Sequence, residues 1–328
     1  MNVLVTGASG FLGRHLVHAL VARGDRVRAL VRSRERGEPL RASGAEIRLG
    51  DLTDPGTLTG VADGIDVIHH LGSAMGGSWS AFEAVDVEGT RRLLGEATRA
   101  QVRRLVYAGT LHNYPLAKLA DGARVDETVP LDTTGLLGPY ARAKLQAESL
   151  VLGANRAGGL EGVIVRPGLV CGDGTSIFPA HVGRPTAGGV FIMFGDGGVP
   201  LPLIYVDNAI DALVLGGTVE GIAGESFNVV DDEVITQREY LDLLVRNSGR
   251  QLRIVRLPRA AYFGIGLAAE MAARVTGKPP ATNRYRVRAR FRRVRWDTTK
   301  AKKLLGWRSR VPLRDGLVKA FRAAGAQS

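Results

Sequence analysis

The 328 residues contain a single cysteine, Cys171, which excludes an internal disulfide framework and a cysteine-based zinc cluster. No run of 18 or more uncharged apolar residues appears, and a membrane-spanning helix is excluded with it. The start, Met-Asn-Val-Leu-Val-Thr-Gly, has no basic stretch and runs straight into glycines, unlike a signal peptide. Lysine is scarce, at seven of 44 basic residues, and acidic residues nearly vanish from the last quarter. Residues 246–328 hold 22 Lys+Arg against 3 Asp+Glu, whereas residues 1–245 hold 22 against 29. An arginine fork suits phosphate or carboxylate better than lysine does, although a solvated basic face is the simpler reading. The expectation is a soluble, reduced, cytoplasmic protein with one large domain and a smaller appendage.

What is present first is alternation. Val3–Thr6, Val27–Val31, Glu46–Gly50, Ile65–His70, Arg104–Ala108 and Gly162–Val165 read as strands. Helical patterns at Phe11–Ala22, 81–100 and Tyr140–Asn155 lie between them. That is the pattern of βαβ units, so the fold class expected is α/β, a Rossmann-type doubly wound parallel sheet. Residues 1–170 would form the dinucleotide-binding domain, with a return segment near 203–235. Residues 171–202 and 236–328 would form a smaller, mixed, arginine-rich substrate-binding part, with helices at 236–248, 258–275, 298–305 and 314–324.

Thr6-Gly7-Ala8-Ser9-Gly10-Phe11-Leu12-Gly13 follows the first strand and opens a helix. Glycines there permit a tight turn and close backbone approach, and the helix N-terminus offers free N–H groups to a pyrophosphate. At the end of the second strand stand Arg32 and Ser33, with no carboxylate before Glu35. A carboxylate at that point would bond a ribose 2′-hydroxyl, whereas arginine and serine suit a 2′-phosphate. NADP(H) is therefore expected over NAD(H). Tyr140-Ala141-Arg142-Ala143-Lys144 sets a phenol and an amine four residues apart on one helix face. A tyrosine serves acid–base chemistry near neutrality only when a nearby ammonium stabilises its phenolate.

The Gly-x-x-Gly-x-x-Gly loop, the Tyr-x-x-x-Lys pair ahead of Arg166-Pro167-Gly168, and the ending Asp297-Thr298-Thr299-Lys300-Ala301…Leu305-Gly306-Trp307 together resemble the extended short-chain dehydrogenase/reductase family. The resemblance covers nearly the whole chain. It implies a catalytic set of Thr110, Tyr140 and Lys144, with Thr110 four residues before Tyr114 as the family has it. It also implies cofactor contacts at Gly7, Ser9, Gly10, Phe11, Leu12, Gly13, Asp51, Leu52, Leu71, Gly72, Tyr140, Lys144 and Pro167, and a homodimer built on the helices at 81–100 and 140–155. Neighbouring His69 and His70 would point to opposite sheet faces, which argues against a shared metal ion.

Departures from the family pattern narrow the chemistry. Leu111, His112 and Asn113 follow Thr110 where sugar-nucleotide dehydratases carry acidic residues. Leu201 and Pro202 stand where nucleotide-sugar epimerases carry Arg-Asp. Asp86 replaces the usual Asn of the Asn-Val-x-Gly-Thr segment, and the sequence offers no functional account of that change. The chain is thus nearest the 3β-hydroxysteroid dehydrogenase and dihydroflavonol reductase branches, and a reductase of a small, largely apolar carbonyl substrate is expected. A sugar epimerase with another anchor and a non-catalytic NADP(H) sensor are the alternatives. Leu257–Val275 reads as a core-packing helix, with a membrane-surface contact or a substrate cap as its other readings. The alternation Arg284-Tyr285-Arg286-Val287-Arg288-Ala289-Arg290-Phe291-Arg292-Arg293 reads as a strand with one solvated face. A grip on an anionic substrate or carrier is the second reading there, and single-stranded nucleic acid a remote third.

Overall fold

The computed structural model describes residues 1–186 and 189–326. Seven parallel strands form the central sheet: β1 (Asn2–Thr6), β2 (Arg26–Val31), β3 (Glu46–Leu49), β4 (Val67–His70), β5 (Arg104–Ala108), β6 (Glu161–Pro167) and β7 (Ser226–Val229). Their order is β7-β6-β5-β4-β1-β2-β3. The chain thus builds outward from β1 to β3, then crosses back to β4. This reversal opens a crevice beyond the carboxyl ends of β1 and β4, where open α/β sheets bind ligands. β1, β4, β5 and β6 are nearly continuous buried runs, as strands covered on both faces must be.

The first helix, α1 (Phe11–Ala22), and the long α2 (Pro139–Arg156) cover the sheet. A further helix, Val206–Thr218, packs Gly216 against Val106 and Val165, and Gly217 against His69. The C-terminal Leu305-Gly306-Trp307 is a clamp on that helix, since the fully buried Trp307 donates its indole N–H to the Asn208 carbonyl at 2.9 Å. Beyond β6 the chain forms short strands, among them Val190–Phe194 paired with Arg253–Leu257, while Leu169–Cys171 and Pro200–Leu201 contribute to the wall of the cavity described below.

Two expectations for the basic part are corrected. Residues 284–290 form a helix, α4 (Arg284–Arg290), not a strand. A two-residue period contains every four-residue spacing, so Val287 and Phe291 also share a helix face, and both are buried. Asn283 caps the helix by accepting a hydrogen bond from Arg286 N at 2.8 Å. The helix α3 (Arg259–Thr276) is not core-packing, because among its residues only Gly266 is buried. Ile265, Leu267, Met271 and Val275 are 40–88% exposed. Gly266 meets Asn283 and Val287, so α3 is covered along one narrow side only.

A buried ion pair ties α2 to the sheet. Arg166 at the end of β6 grips both Glu148 carboxylate oxygens and donates to the Tyr114 hydroxyl at 2.9 Å. Tyr114 in turn donates to Asn228 of β7 at 2.9 Å. Removing one partner strands the other charge in the interior. Glu148→Ala is therefore expected to cost about 3–5 kcal/mol of unfolding free energy, measured by urea denaturation. A loss under 1 kcal/mol would show that the pair is dispensable.

Candidate active site

The glycine loop sits in the crevice between β1 and β4. Gly7 has φ +68°, and a Cβ there would lie 2.8 Å from the Gly72 nitrogen and the Leu71 carbonyl carbon. A Cβ on Gly13 would collide with the Gly7 carbonyl oxygen and the Ala8 backbone. Gly10 precedes α1 in extended conformation, and no side chain caps the helix or places a carboxylate in its first turn. The first N–H groups of α1, at Phe11, Leu12 and Gly13, thus lack intrahelical partners and face the crevice mouth. Leu71 and Gly72 form the opposite lip, against which Leu52 packs.

Beyond β2, Arg32 is exposed and Ser33 precedes the helix Arg34–Ala42 without using its hydroxyl as a cap. Arg32 acts electrostatically on Asp51. Burial alone would raise the Asp51 pKa, but hydrogen bonds from Thr53 and the Arg32 charge leave it below the ordinary carboxylate value. The glycine loop with its close backbone approach, the donors of Arg32 and Ser33 and the acceptor carboxylate of Asp51 are chemistry that fits a dinucleotide. Ser9 lies within the loop, half-buried beside Gly10.

At the other end of the crevice, α2 carries Tyr140 and Lys144. Its N-terminal turn is made by Gly138, at φ +103°, followed by Pro139. Lys144 is 4% exposed, and its Nζ donates to the Ala108 carbonyl at 3.1 Å. Asp86 Oδ1 lies 4.0 Å from that ammonium. Asp86 is itself 1% exposed and accepts from the Ser73 hydroxyl at 2.5 Å and the Ala74 N–H at 2.9 Å. The unexplained replacement in the sequence is thus the buried counter-charge of Lys144. Burial lowers the Lys144 pKa, while Asp86 and Glu148 oppose that shift. Burial raises the Tyr140 phenol, the Thr110 hydroxyl pulls it back, and Asp86 adds to the rise. Thr110 also accepts from His112 N at 3.1 Å, starting the short turn Leu111–Asn113.

Asp86 lies in a wide turn, Glu83–Glu88, with π-helical hydrogen bonding between two α-helical stretches. The widened turn lets Phe82 reach the Tyr140 ring, centroids 6.0 Å apart, on one side. On the other side Thr90 reaches His70 Nε2 at 2.9 Å. His70 Nδ1 continues to the Thr6 hydroxyl at 2.6 Å, joining β1 to β4. Periodicity gave no signal for this wide turn or for the Thr6–His70–Thr90 chain.

A cavity of about 720 Å³ opens above Thr110 and Tyr140. Leu169, Val199, Leu201, Pro202 and Trp296 give it apolar walls, and Pro167 lies at its inner end. Leu201 and Pro202 thus present hydrocarbon to the cavity. Among the described residues no group of three or more His, Cys, Asp or Glu is arranged to hold a metal ion, and none of the helices is long and apolar enough to cross a membrane.

The description "NAD dependent epimerase/dehydratase family" fits residues 3–229. The chain belongs to this family. It is an NAD(P)-dependent oxidoreductase of the extended short-chain type. It is 34% identical to the 4-hydroxy-2-methyl-3-oxo-4-farnesyl-3,4-dihydroquinoline-1-oxide ketoreductase of Stigmatella aurantiaca, over 99% of this chain and 97% of that one. It is 30% identical to the 2-alkyl-3-oxoalkanoate reductase of Stenotrophomonas maltophilia, over 86% and 87% of the two chains. A UDP-glucuronic acid 4-epimerase from Bacillus cereus, solved with UDP-glucuronic acid and NAD, shares the fold at TM-score 0.76 and 21% identity, over 100% of both chains.

Burial of neutral imidazoles gives the site a pH signature. His69 and His70 project to opposite faces of β4, and burial holds both at about 3 against an ordinary 6.5. The unfolded chain then binds more protons, so each contribution is complete above pH 6.5 and drains as pH falls toward 3. His69 Nδ1 has no hydrogen-bond partner. His69→Leu should remove about 1.4 kcal/mol per pH unit from the acid slope of stability near pH 4.5, measured by urea unfolding across pH. An unchanged slope would refute neutral burial.

Proposed function

We propose that this protein is an NADP(H)-dependent carbonyl reductase acting on a largely apolar substrate, with Tyr140 as the acid. The observation that carries this reading is the cavity above Tyr140, whose Leu201 and Pro202 wall has hydrocarbon where a nucleotide-sugar enzyme places its diphosphate grip. Ketoreductase and 3-oxoacid reductase relatives along most of the chain support it.

When bound, the nicotinamide cofactor supplies a hydride to the carbonyl carbon. Tyr140 holds the proton that passes to the carbonyl oxygen, and the Thr110 hydroxyl orients that oxygen as charge develops on it. Lys144, kept charged by Asp86 within a buried setting, stabilises the phenolate left behind. Gly7, Ser9, Gly10, Phe11, Leu12 and Gly13 would cradle the pyrophosphate, the backbone N–H groups at the start of α1 supplying donors while the Gly10 N–H closes the loop on the Gly7 carbonyl at 2.9 Å. Arg32 and Ser33 would hold the 2′-phosphate, Asp51 and Leu52 would border the adenine, and Leu71, Gly72 and Pro167 would flank the ribose and nicotinamide. For the alcohol-oxidising direction the same groups serve in reverse.

Replacing Tyr140 with Phe is expected to lower kcat by at least about a hundredfold while the affinity for NADPH stays within about twofold, read by NADPH fluorescence. Undiminished turnover would remove Tyr140 from the mechanism. Arg32→Glu is expected to invert the preference between NADPH and NADH, measured by titrating each cofactor. Nucleotide released on denaturing the purified protein provides the broader test, because an exchanging reductase releases little, whereas stoichiometric NAD(H) would indicate an epimerase.

A further inference from the structure

The cavity above Tyr140 has a charge imbalance that an apolar ketone leaves unanswered. Arg184, Arg286, Arg290 and Arg292 line it, and no aspartate or glutamate does. Arg292 has a carboxylate nearby, Asp121 at 3.7 Å. Arg184, Arg286 and Arg290 form no ion pair among the described residues. Arg286 donates to the carbonyls of Leu136 and Ala281, each at 3.1 Å. Arg290 donates to the Ala180 carbonyl, and its guanidinium lies 5.1 Å from the Phe194 ring centroid and 5.6 Å from that of Tyr262. Burial lowers the pKa of both arginines, yet a guanidinium keeps its proton in any protein setting. The nearby His112 and His181 do not balance this charge, for burial lowers the pKa of both, His181 to about 3, and a neutral imidazole brings no negative charge.

A half-buried cation bonded only to carbonyls and aromatic faces recovers part of its hydration and lacks a counter-charge. Its remaining N–H groups form a planar fork that matches an oxyanion. The helix α4 has Arg286 and Arg290 four residues apart, so both reach the same side. Position adds a constraint. Arg286 rests against Gly138, where any Cβ would strike the guanidinium, two residues before Tyr140.

We infer that the cavity takes a carbonyl substrate bearing an oxyanion, a carboxylate or a phosphate, which Arg286 and Arg290 hold while the Leu169, Leu201 and Pro202 walls hold its apolar body. Because the Arg286 guanidinium packs against Gly138 at the start of the helix that bears Tyr140, the oxyanion lies near the reacting end of the substrate rather than at its tail. This assignment rests on the reductase reading for the carbonyl but is tested apart from it.

The test is calorimetric titration of the full chain, saturated with its nicotinamide dinucleotide, with octanoate, octyl phosphate and octanamide. Either anion is expected to bind at least about tenfold more tightly than the neutral amide, and the tighter of the two identifies the group. In Arg286→Gln and Arg290→Gln that advantage shrinks toward unity while octanamide affinity is unchanged. Equal binding of all three ligands, or no binding by either anion, to the unaltered protein overturns the inference without any variant. Failure to oxidise NADPH with any ketone would instead overturn the reductase reading and leave the anion measurement standing.

Discussion

The burial of one ammonium group organises this molecule. Lys144 can be held in the interior as a cation only if its desolvation is offset, and the chain does so from two sides. The Ala108 carbonyl meets it at the end of β5, at 3.1 Å. Asp86 faces it from the helix before β5, at 4.0 Å, and is tied in turn to Ser73 and Ala74 beyond β4. Sheet, loop and α2 therefore meet at a single electrostatic contact. The same contact fixes the distance between the Tyr140 helix and the crevice where a cofactor would lie. One buried pair thus sets how α2 sits against the sheet.

A division of labour follows across the fold. The first two-thirds supplies strands whose buried runs leave little freedom in register, and its reactive side chains sit at strand ends or helix starts. The basic last quarter supplies arginines in two ways. Arg284 points outward to Glu270 and is solvated, whereas Arg286 and Arg290, on the same short helix, turn into the cavity. A net charge concentrated in sequence is thus split by helix geometry into a solvent face and a cavity face.

Sequence reasoning reached the parts that local pattern specifies. The turn at Gly7 to Gly13, bounded by a strand and a helix, left few conformations open, and Phe11–Ala22 is a helix with those bounds. The spacing of Tyr140 and Lys144 needed only one helix to bring the pair together. Pattern was weaker where tertiary contacts decide. The alternation at 284–293 fits a strand and a helix equally by spacing, and the burial of Val287 and Phe291 chose the helix. Residues 259–276 are apolar enough for a core, but nothing in a one-dimensional pattern tells how little of the fold lies against them. Asp86 stood out as a departure, yet its meaning depends on Lys144, 58 positions away, which no local spacing could reveal.

The wide turn at Glu83–Glu88 carries one residue more than an α-helical path would need. Along a helix each residue advances the side-chain direction by about 100°. Deleting a single residue there would rotate everything before it relative to everything after it, so that Phe82 and Thr90 could not both keep their partners. The segment behaves as a mechanical phase-setter, with its length in whole residues fixing the angle between the substrate side and the sheet side. Insertions and deletions in this stretch are therefore far more constrained than substitutions on its outer face, and a chain that drifts in length here loses the alignment of two surfaces at once.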